Sequence, residues 1–500
     1  MCDVDDPVMV AGPKPTQKTC IKCKTSPSVV VVRHATYCKS CFLFTFVGKF
    51  RTIIMKSKVV SQKEGERVLL AFSGGPSSRA MLHLLSDFQY IVPHETSKRQ
   101  LFSGVTICHI DESALFGQEE QGTLARIEAI VRGQYPDLPF VGVRMEDVFG
   151  PNYTDSGAFD RVVEAVGGPV GADEFPIRLT PLNAVSPSPD LTPSNATRLT
   201  ALFDSLTTGT AKEDLYSHLK LTILIHVARR EGCTRLFLGD TSTRLAIKTI
   251  SLTAKGRGYS LPLDVATEDA VSVPGMIVLR PMKDMLSKEV GVYNRFRGLE
   301  ASVVVAKNFA TGVGGRGSIE RLTEGGFTGE GWNGMKTGHV QPRSLLVTWL
   351  SLPTAEFIVG LDRDFPSTVS TITRTASKLT HAESMNLEQA CALCLKPIQL
   401  STKEWRHRIT VVTVPSSSTS SPPRSAALPI EPRMTPDLTD HFCYGCQVGL
   451  RDMRRVECTG AAFPPYVAER VATREERVEG LRKQIEGFLL EDEDNGKGER

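Results

Sequence analysis

Residues 67–78 read Arg67-Val-Leu-Leu-Ala-Phe72 followed directly by Ser73-Gly-Gly-Pro-Ser-Ser78. The first six form an apolar run of the length of a buried strand, and apolar residues recur at helical spacing from Ser78 onward. A Ser-Gly-Gly loop between a strand and a helix suits a phosphate group. The glycines let backbone N–H groups approach the anion, and the helix N-terminus attracts negative charge. Ser73, Gly74, Gly75, Ser77 and Ser78 are therefore candidate nucleotide ligands. Two neighbouring positions depart from that chemistry: Pro76 brings neither a cation nor a backbone donor, and Ser77 brings no carboxylate. A plain strand-to-helix turn would use the same glycines, and the residues alone leave that alternative open.

Outward from this stretch the chain alternates short apolar runs with helical ones. Strands are expected at Val68–Phe72, Gly104–Ile110, Phe140–Val143, Arg235–Leu238 and Met276–Leu279. Helices are expected at Ser78–Phe88, Gln121–Val131, Ala211–Arg230, Ser242–Thr253 and Lys283–Phe296. That alternation implies βαβ units, hence an α/β fold on a parallel sheet. Pro181–Thr197 and Gly312–Gly338 break the rhythm and are expected as insertions, and Pro415–Pro436 as a disordered Ser/Pro spacer. The expected organisation is a zinc ribbon over 1–50, an α/β core over 51–380, a second ribbon over 381–463, and a charged helix and tail over 464–500.

The 500 residues carry a formal net charge of +3, with 41% hydrophobic and 23% charged residues, an ordinary globular balance that does not itself demand a nucleic acid. No apolar run is long enough for a membrane span, and the acidic start Met1-Cys-Asp-Val-Asp-Asp6 is unlike a signal peptide. A cytoplasmic chain without a membrane partner is the expectation. In a reducing compartment the 12 cysteines are metal ligands or thiols rather than disulfides. Eight fall into CxxC pairs: Cys20/Cys23 with Cys38/Cys41, 14 residues between the pairs, and Cys391/Cys394 with Cys443/Cys446, 48 between. Two such knuckles complete a tetrahedral site, so two structural Zn²⁺ ions are expected. His34 and His441 lie nearby and are expected at the surface. Cys108 reads as core packing.

The double CxxC at each end and the SGG loop together resemble the tRNA 2-thiolation enzymes of the adenine-nucleotide α-hydrolase (PP-loop) superfamily. SGGPSS (73–78), LGDTSTRLAIK (238–248), KGRGYSLPLDV (255–265) and LRPMKDMLSKEV (279–290) resemble, in that order, the cytoplasmic tRNA 2-thiolation protein 2 family. The resemblance implies a PP-loop core between two zinc ribbons. It also implies a heterodimer with a catalytic thiolase subunit, tRNA as substrate with its wobble uridine thiolated at C2, and a thiocarboxylated ubiquitin-related modifier as sulfur donor. The catalytic branch reads SGGKDS in its loop, carries a CxxC in the helix before the second nucleotide motif, and has a third cysteine after the RP segment. Here Tyr216–Ile225 and Arg280–Gly314 contain no cysteine, and the second motif keeps only Asp240 as an acid. The implied role is a companion subunit that is not catalytic by itself. Whether ATP still binds stays open. The alternatives are a self-sufficient ATP-dependent tRNA-modifying enzyme and a zinc-ribbon RNA-binding adaptor.

Asp240 can touch a ligand or cap the helix after it. Arg244, Lys248, Lys255 and Arg257 are RNA-binding candidates at the C-terminal edge of the sheet, where open α/β folds bind ligands; a solvated helix face accounts for them equally. Asp111-Glu-Ser113 closes the second expected strand and divides in the same way between ligand and cap.

Overall fold

The structure, a computed structural model, describes residues 19–57, 66–87, 102–116, 122–150, 153, 161–162, 193–304, 351–365, 367–380, 389–399, 402, 438–450, 453 and 463–486. The expected segments 312–338 and 415–436, most of 181–197, and the tail beyond 486 lie outside the described residues.

Strands β1 (Val30–Val32) and β2 (Ala35–Tyr37) pair antiparallel and lead into α1 (Lys39–Lys56). The main sheet contains β3 (Arg67–Ala71), β4 (Gly104–Asp111), β5 (Phe140–Arg144), β6 (Arg235–Phe237), β7 (Glu268–Asp269) and β8 (Ile277–Leu279). Its spatial order is β5-β4-β3-β6-β8-β7, parallel throughout except for the edge strand β7. All five expected strands are present, and the expected α/β class holds. The chain winds outward from β3 through β4 to β5, then returns through β6 to β8. The order therefore reverses beside β3, and the loops after β3 and β6 meet at a topological switch point.

Between and beyond the strands lie α2 (Pro76–Asp87), α3 (Ser113–Phe116), α4 (Thr123–Gln134), α5 (Asn195–Ser205), α6 (Gly209–Arg230), α7 (Ser242–Ala254) and α8 (Leu261–Val265). They are followed by α9 (Ser287–Arg297), α10 (Ser351–Asp364), α11 (Thr368–Ala376), α12 (Tyr444–Leu450) and α13 (Pro465–Glu486). Local chemistry sets several ends. Pro76 stands first in α2, where a missing N–H breaks no helical bond. Ser194 caps α5 by accepting from the Thr197 N–H at 3.2 Å, so a helix starts inside the segment expected to be a loop. The helix expected from Lys283 begins only at Ser287, because Met282, Met285 and Leu286 are buried in the turn before it.

The two-residue period of β3 separates the core into two layers. Val68 and Leu70 enter one cluster with Phe42, Phe46, Phe50 and Ile54 of α1 and Tyr293 of α9. Those α1 residues recur every four positions, and each fully buried large side chain stabilises by about 1.5–3 kcal/mol. The stripe crosses residue 50, so α1 belongs to ribbon and core alike. Leu69 enters the other cluster with Leu219 and Ile223 of α6 and Val467 and Val471 of α13. Cys391, Cys394, Cys443 and Cys446 lie in this same cluster. The C-terminal knuckles thus pack into the α/β core instead of forming a separable appendage. His441 is buried there, in contrast to the expected surface position, while His34 is exposed as expected.

Candidate functional site

The switch point brings the Gly-Gly loop and the second motif into contact. The Ser77 hydroxyl donates to the Gly239 carbonyl at 2.7 Å, and a Cβ on Gly239 would stand 3.4 Å from the Ser78 nitrogen. Within the loop the Ser73 and Ser78 hydroxyls are 3.2 Å apart, Ser78 donates to the Gly75 carbonyl at 3.1 Å, and the Gly75 N–H donates to Ser73 Oγ. The Val304 N–H donates to the Gly74 carbonyl at 2.9 Å, and Asn294 Nδ2 donates to the Pro76 carbonyl at 3.0 Å. Gly74 has φ +80, and a Cβ there would meet Ile127 Cδ1 at 2.9 Å and Val304 at 3.2 Å. This glycine is required by its backbone angle and by close packing. The loop's hydroxyls and one of its N–H groups are bonded within the protein, and Pro76 removes a donor from the start of α2.

Asp240 lies at the end of β6 but does not cap α7. Thr241 does so, its Oγ1 accepting from the Arg244 N–H at 3.3 Å. Asp240 is instead paired with the buried Arg280 at 3.3 Å, and Arg280 also donates to the Ala266 carbonyl. At the end of β4, Asp111 accepts from the Ser113 N–H and hydroxyl, both at 3.1 Å, which is the cap reading. Glu112 faces α6, where the Tyr216 hydroxyl donates to it at 2.6 Å and Lys220 pairs with it. Burial works against the Lys220 ammonium, yet the neighbouring Glu112 charge raises its pKa above the usual lysine value. Tyr216, Glu112 and Lys220 thus form a lock between the end of β4 and α6. Cys108 and Cys233 are both buried in the core.

The four RNA-binding candidates do not share one surface. Arg244 is exposed, and Lys248 is half-buried with its ammonium 3.7 Å from Asp264. Lys255 is paired with Glu213 at 3.2 Å and Asp214 at 2.8 Å. Arg257 is 3% exposed, 3.0 Å from Asp214, with both Nη atoms 3.8–3.9 Å from Cys446 Sγ. Lys255 and Arg257 are structural cations, which corrects the expectation of an exposed basic cluster. In the sequence they read as RNA contacts or a solvated helix face because their acidic partners lie more than forty residues upstream on α6.

Each set of four cysteines converges. The Sγ atoms of Cys20, Cys23, Cys38 and Cys41 lie within 4.8 Å of one another, as do those of Cys391, Cys394, Cys443 and Cys446. The Cys23–Cys38 and Cys394–Cys443 sulfur separations are 3.9 and 3.5 Å. Four thiolates at Zn–S distances of about 2.3 Å would be separated by about 3.8 Å, so both sets fit a tetrahedral ion. The first set is partly open, and hydrogen bonds from Thr25 and Ser26 hold the Cys23 thiol down at about 5. The second is buried. Burial opposes ionisation of Cys443, yet hydrogen bonds from Cys391, Cys394 and Cys446 and the Arg257 charge hold it well below a free thiol. His218 of α6 places Nε2 3.9 Å from Cys446 Sγ, and burial with the Arg257 charge lowers it to about 4. His218, Asp214 and the buried Lys396 are site residues that no local motif isolates.

A Gly-Gly loop at the switch point of a largely parallel sheet, with a converging set of four cysteines toward each end of the chain, defines an α/β protein with a phosphate-loop-like turn between two cysteine knuckles. A family profile described as cytoplasmic tRNA 2-thiolation protein 2 matches residues 353–448. The Xenopus laevis cytoplasmic tRNA 2-thiolation protein 2-A is 29% identical over 540 residues, covering 96% of this chain and 95% of that protein. The Homo sapiens cytoplasmic tRNA 2-thiolation protein 2 is 28% identical over 548 residues, covering 98% and 96%. Over nearly its full length the chain is thus similar to the cytoplasmic tRNA 2-thiolation protein 2 family, as its four motifs imply. Among solved structures, a U34-tRNA thiolase, NcsA from Methanococcus maripaludis, is similar at TM-score 0.43 and 15% identity over 73% of this chain and 88% of that one. A likeness that loose carries no functional argument. No helix among the described residues is long and apolar enough to cross a membrane.

Proposed function

We propose that this chain is a non-catalytic subunit of a cytoplasmic tRNA 2-thiolation complex. A catalytic thiolase subunit activates C2 of the wobble uridine with ATP, and a thiocarboxylated ubiquitin-related modifier supplies the sulfur. The carrying observation is the phosphate-type loop, whose hydroxyls are bonded within the protein, whose cation position is Pro76, and whose acidic neighbour Asp240 is neutralised by Arg280. Such a loop keeps the scaffold of nucleotide binding without the charges that steady a transferring phosphate. The sequence of α6 supports the same reading, since it contains no cysteine for sulfur handling and is tied to the end of β4 by the Tyr216–Glu112–Lys220 lock.

On this reading the two cysteine sets hold structural Zn²⁺, each completing a knuckle that fixes its surroundings. The first organises the N-terminal ribbon and the second anchors the C-terminal residues on α6. Arg244 remains a candidate contact for tRNA. The test is reconstitution with tRNA, ATP and a sulfur donor, reading 2-thiouridine by mass spectrometry of nucleosides. Product should form only when the catalytic subunit and this chain are both present. Thiouridine made by the purified chain alone would overturn the proposal.

A further inference from the structure

We infer that the outer half of α13 docks a helix of another protein, one that is apolar along its seam and carries carboxylates on either side of it. Along α13 the apolar residues Val471, Val478 and Ile485 recur every seven positions, with Arg474 and Leu481 between them. That is the a/d spacing of a two-helix seam. The near end of the stripe packs on the core of this chain. Val467 and Val471 are buried in the cluster that holds the second cysteine set, and Arg474 still reaches the Asp440 carbonyl at 3.5 Å. Beyond Arg474 the same stripe loses its cover. From Glu476 to Ile485 every residue is exposed except the half-buried Val478, with Leu481 at 47% and Ile485 at 56%.

The charges around the stripe decide what covers it. In this register Arg477 (position g) and Arg482 (position e) flank the seam, while Glu476, Glu479 and Lys483 take outer positions. Those outer residues are answered within the chain: Glu479 pairs with Lys483 at 2.8 Å and Glu476 with Arg161 at 3.0 Å. A second copy of α13 laid parallel would set Arg477 of each helix against Arg482 of the other, so self-pairing is opposed. A polyanion is a poor match as well. Residues 476–486 hold three cations, Arg477, Arg482 and Lys483, against three acids, Glu476, Glu479 and Glu486, and acids predominate in the chain that follows. Neither RNA nor an anionic lipid surface is attracted by a helix of balanced charge. A helix with Asp or Glu facing the two arginines answers both the stripe and its flanks. The buried first half of α13 already holds the second in place, so docking needs little further ordering of this chain. This surface is additional to the companion-subunit reading and does not depend on it.

The experiment titrates the full chain, by calorimetry, with two three-heptad peptides. Both carry Ile at a and Leu at d; one carries Glu at e and g and the other Lys, so like charges keep each peptide from pairing with itself. The Glu peptide should bind, and the Lys peptide should bind at least roughly tenfold more weakly. Leu481→Asp with Ile485→Asp puts charge into the seam and should weaken the Glu peptide by at least roughly tenfold. Because both side chains are exposed, that seam variant should melt within about 1 °C of the wild type. Arg477→Glu with Arg482→Glu should reverse the preference in favour of the Lys peptide. Equal binding of the two peptides, binding of neither, or unchanged binding in the seam variant would overturn the inference. So would either of two other occupants. A chain that sediments as a dimer and becomes a monomer in the seam variant would put a second copy on the stripe. A seam variant that melts several degrees lower would put another segment of this chain there. Each of these results leaves the companion-subunit reading intact, and failure of the reconstituted thiolation above would count against that reading alone.

Discussion

Lys396, two residues beyond Cys394, sits in the C-terminal knuckle and reaches the sheet, so its removal measures how tightly the two are joined. It is buried, and its ammonium lies 3.2 Å from Asp269 Oδ2, 3.6 Å from Asp264 Oδ1 and 3.0 Å from the Ser272 hydroxyl. Lys396→Met keeps most of the apolar stem and deletes the charge. Removing one partner of a buried ion pair costs about 3–5 kcal/mol, because the other charge is left uncompensated. Part of that loss is softened here. Asp269 keeps the N–H groups of Val271 and Ser272 at 3.0 and 2.9 Å, and Asp264 keeps Ser260 at 2.9 Å and Lys248 at 3.7 Å. The expected cost is therefore near the lower bound, about 3 kcal/mol, or a melting temperature lower by about 6–12 °C. Thermal unfolding followed by circular dichroism checks it. Adding Asp269→Asn to Lys396→Met should restore part of the loss, since the stranded carboxylate is then neutral. A shift below about 1 °C in Lys396→Met, with the core melting as before, would refute the packing of the knuckle into the α/β core.

Cys443→Ser with Cys446→Ser should release one equivalent of zinc and lower the melting temperature of the whole core; Cys20→Ser with Cys23→Ser should release one equivalent and leave the sheet largely intact, as read by elemental analysis and calorimetry. Arg257→Glu should destabilise by more than about 3 kcal/mol, because Asp214 and the cysteine set lose their cation, whereas exposed Arg244→Glu should change stability by under about 0.5 kcal/mol. Burial disfavours ionised Asp264 and Asp269, yet the Lys396 charge holds both carboxyls below their usual range. Their folded pKa values lie under the unfolded value of about 3.9, so this stabilisation is present above about pH 4 and is lost on further acidification. Acid titration of stability should show that loss in the wild type and a smaller one in Lys396→Met.

What the sequence carried legibly was periodicity and spacing. The continuous apolar run at Val68–Phe72 and the apolar recurrence at three and four in the helices are local signals, and so are the paired CxxC turns; each maps onto an observed element. The candidate site was legible only where its partners are close in the chain. Arg257 divides between RNA contact and a solvated face until α6 brings Asp214 to 3.0 Å, and nothing local marks Lys396 before β7 brings Asp269 to 3.2 Å. The Lys49–Glu289 pair was illegible for the same reason, since its partners meet across 240 positions. His441 was misread because a histidine beside a knuckle has no local sign of the α13 packing that buries it.

Gly74 shows how a glycine of such a loop can be required by the fold itself. It is held at φ +80 under Ile127 and Val304. That constraint comes from packing at the switch point and does not need a phosphate. Gly74→Ala should therefore cost about 2 kcal/mol, roughly 1–2 for an L-residue in the left-handed region plus the crowding against the Val304 carbonyl at 3.2 Å. That cost should appear in denaturant unfolding with no nucleotide present. A variant as stable as the wild type would mean the glycine is kept for a ligand rather than for the fold, and would reopen the case for ATP at this loop.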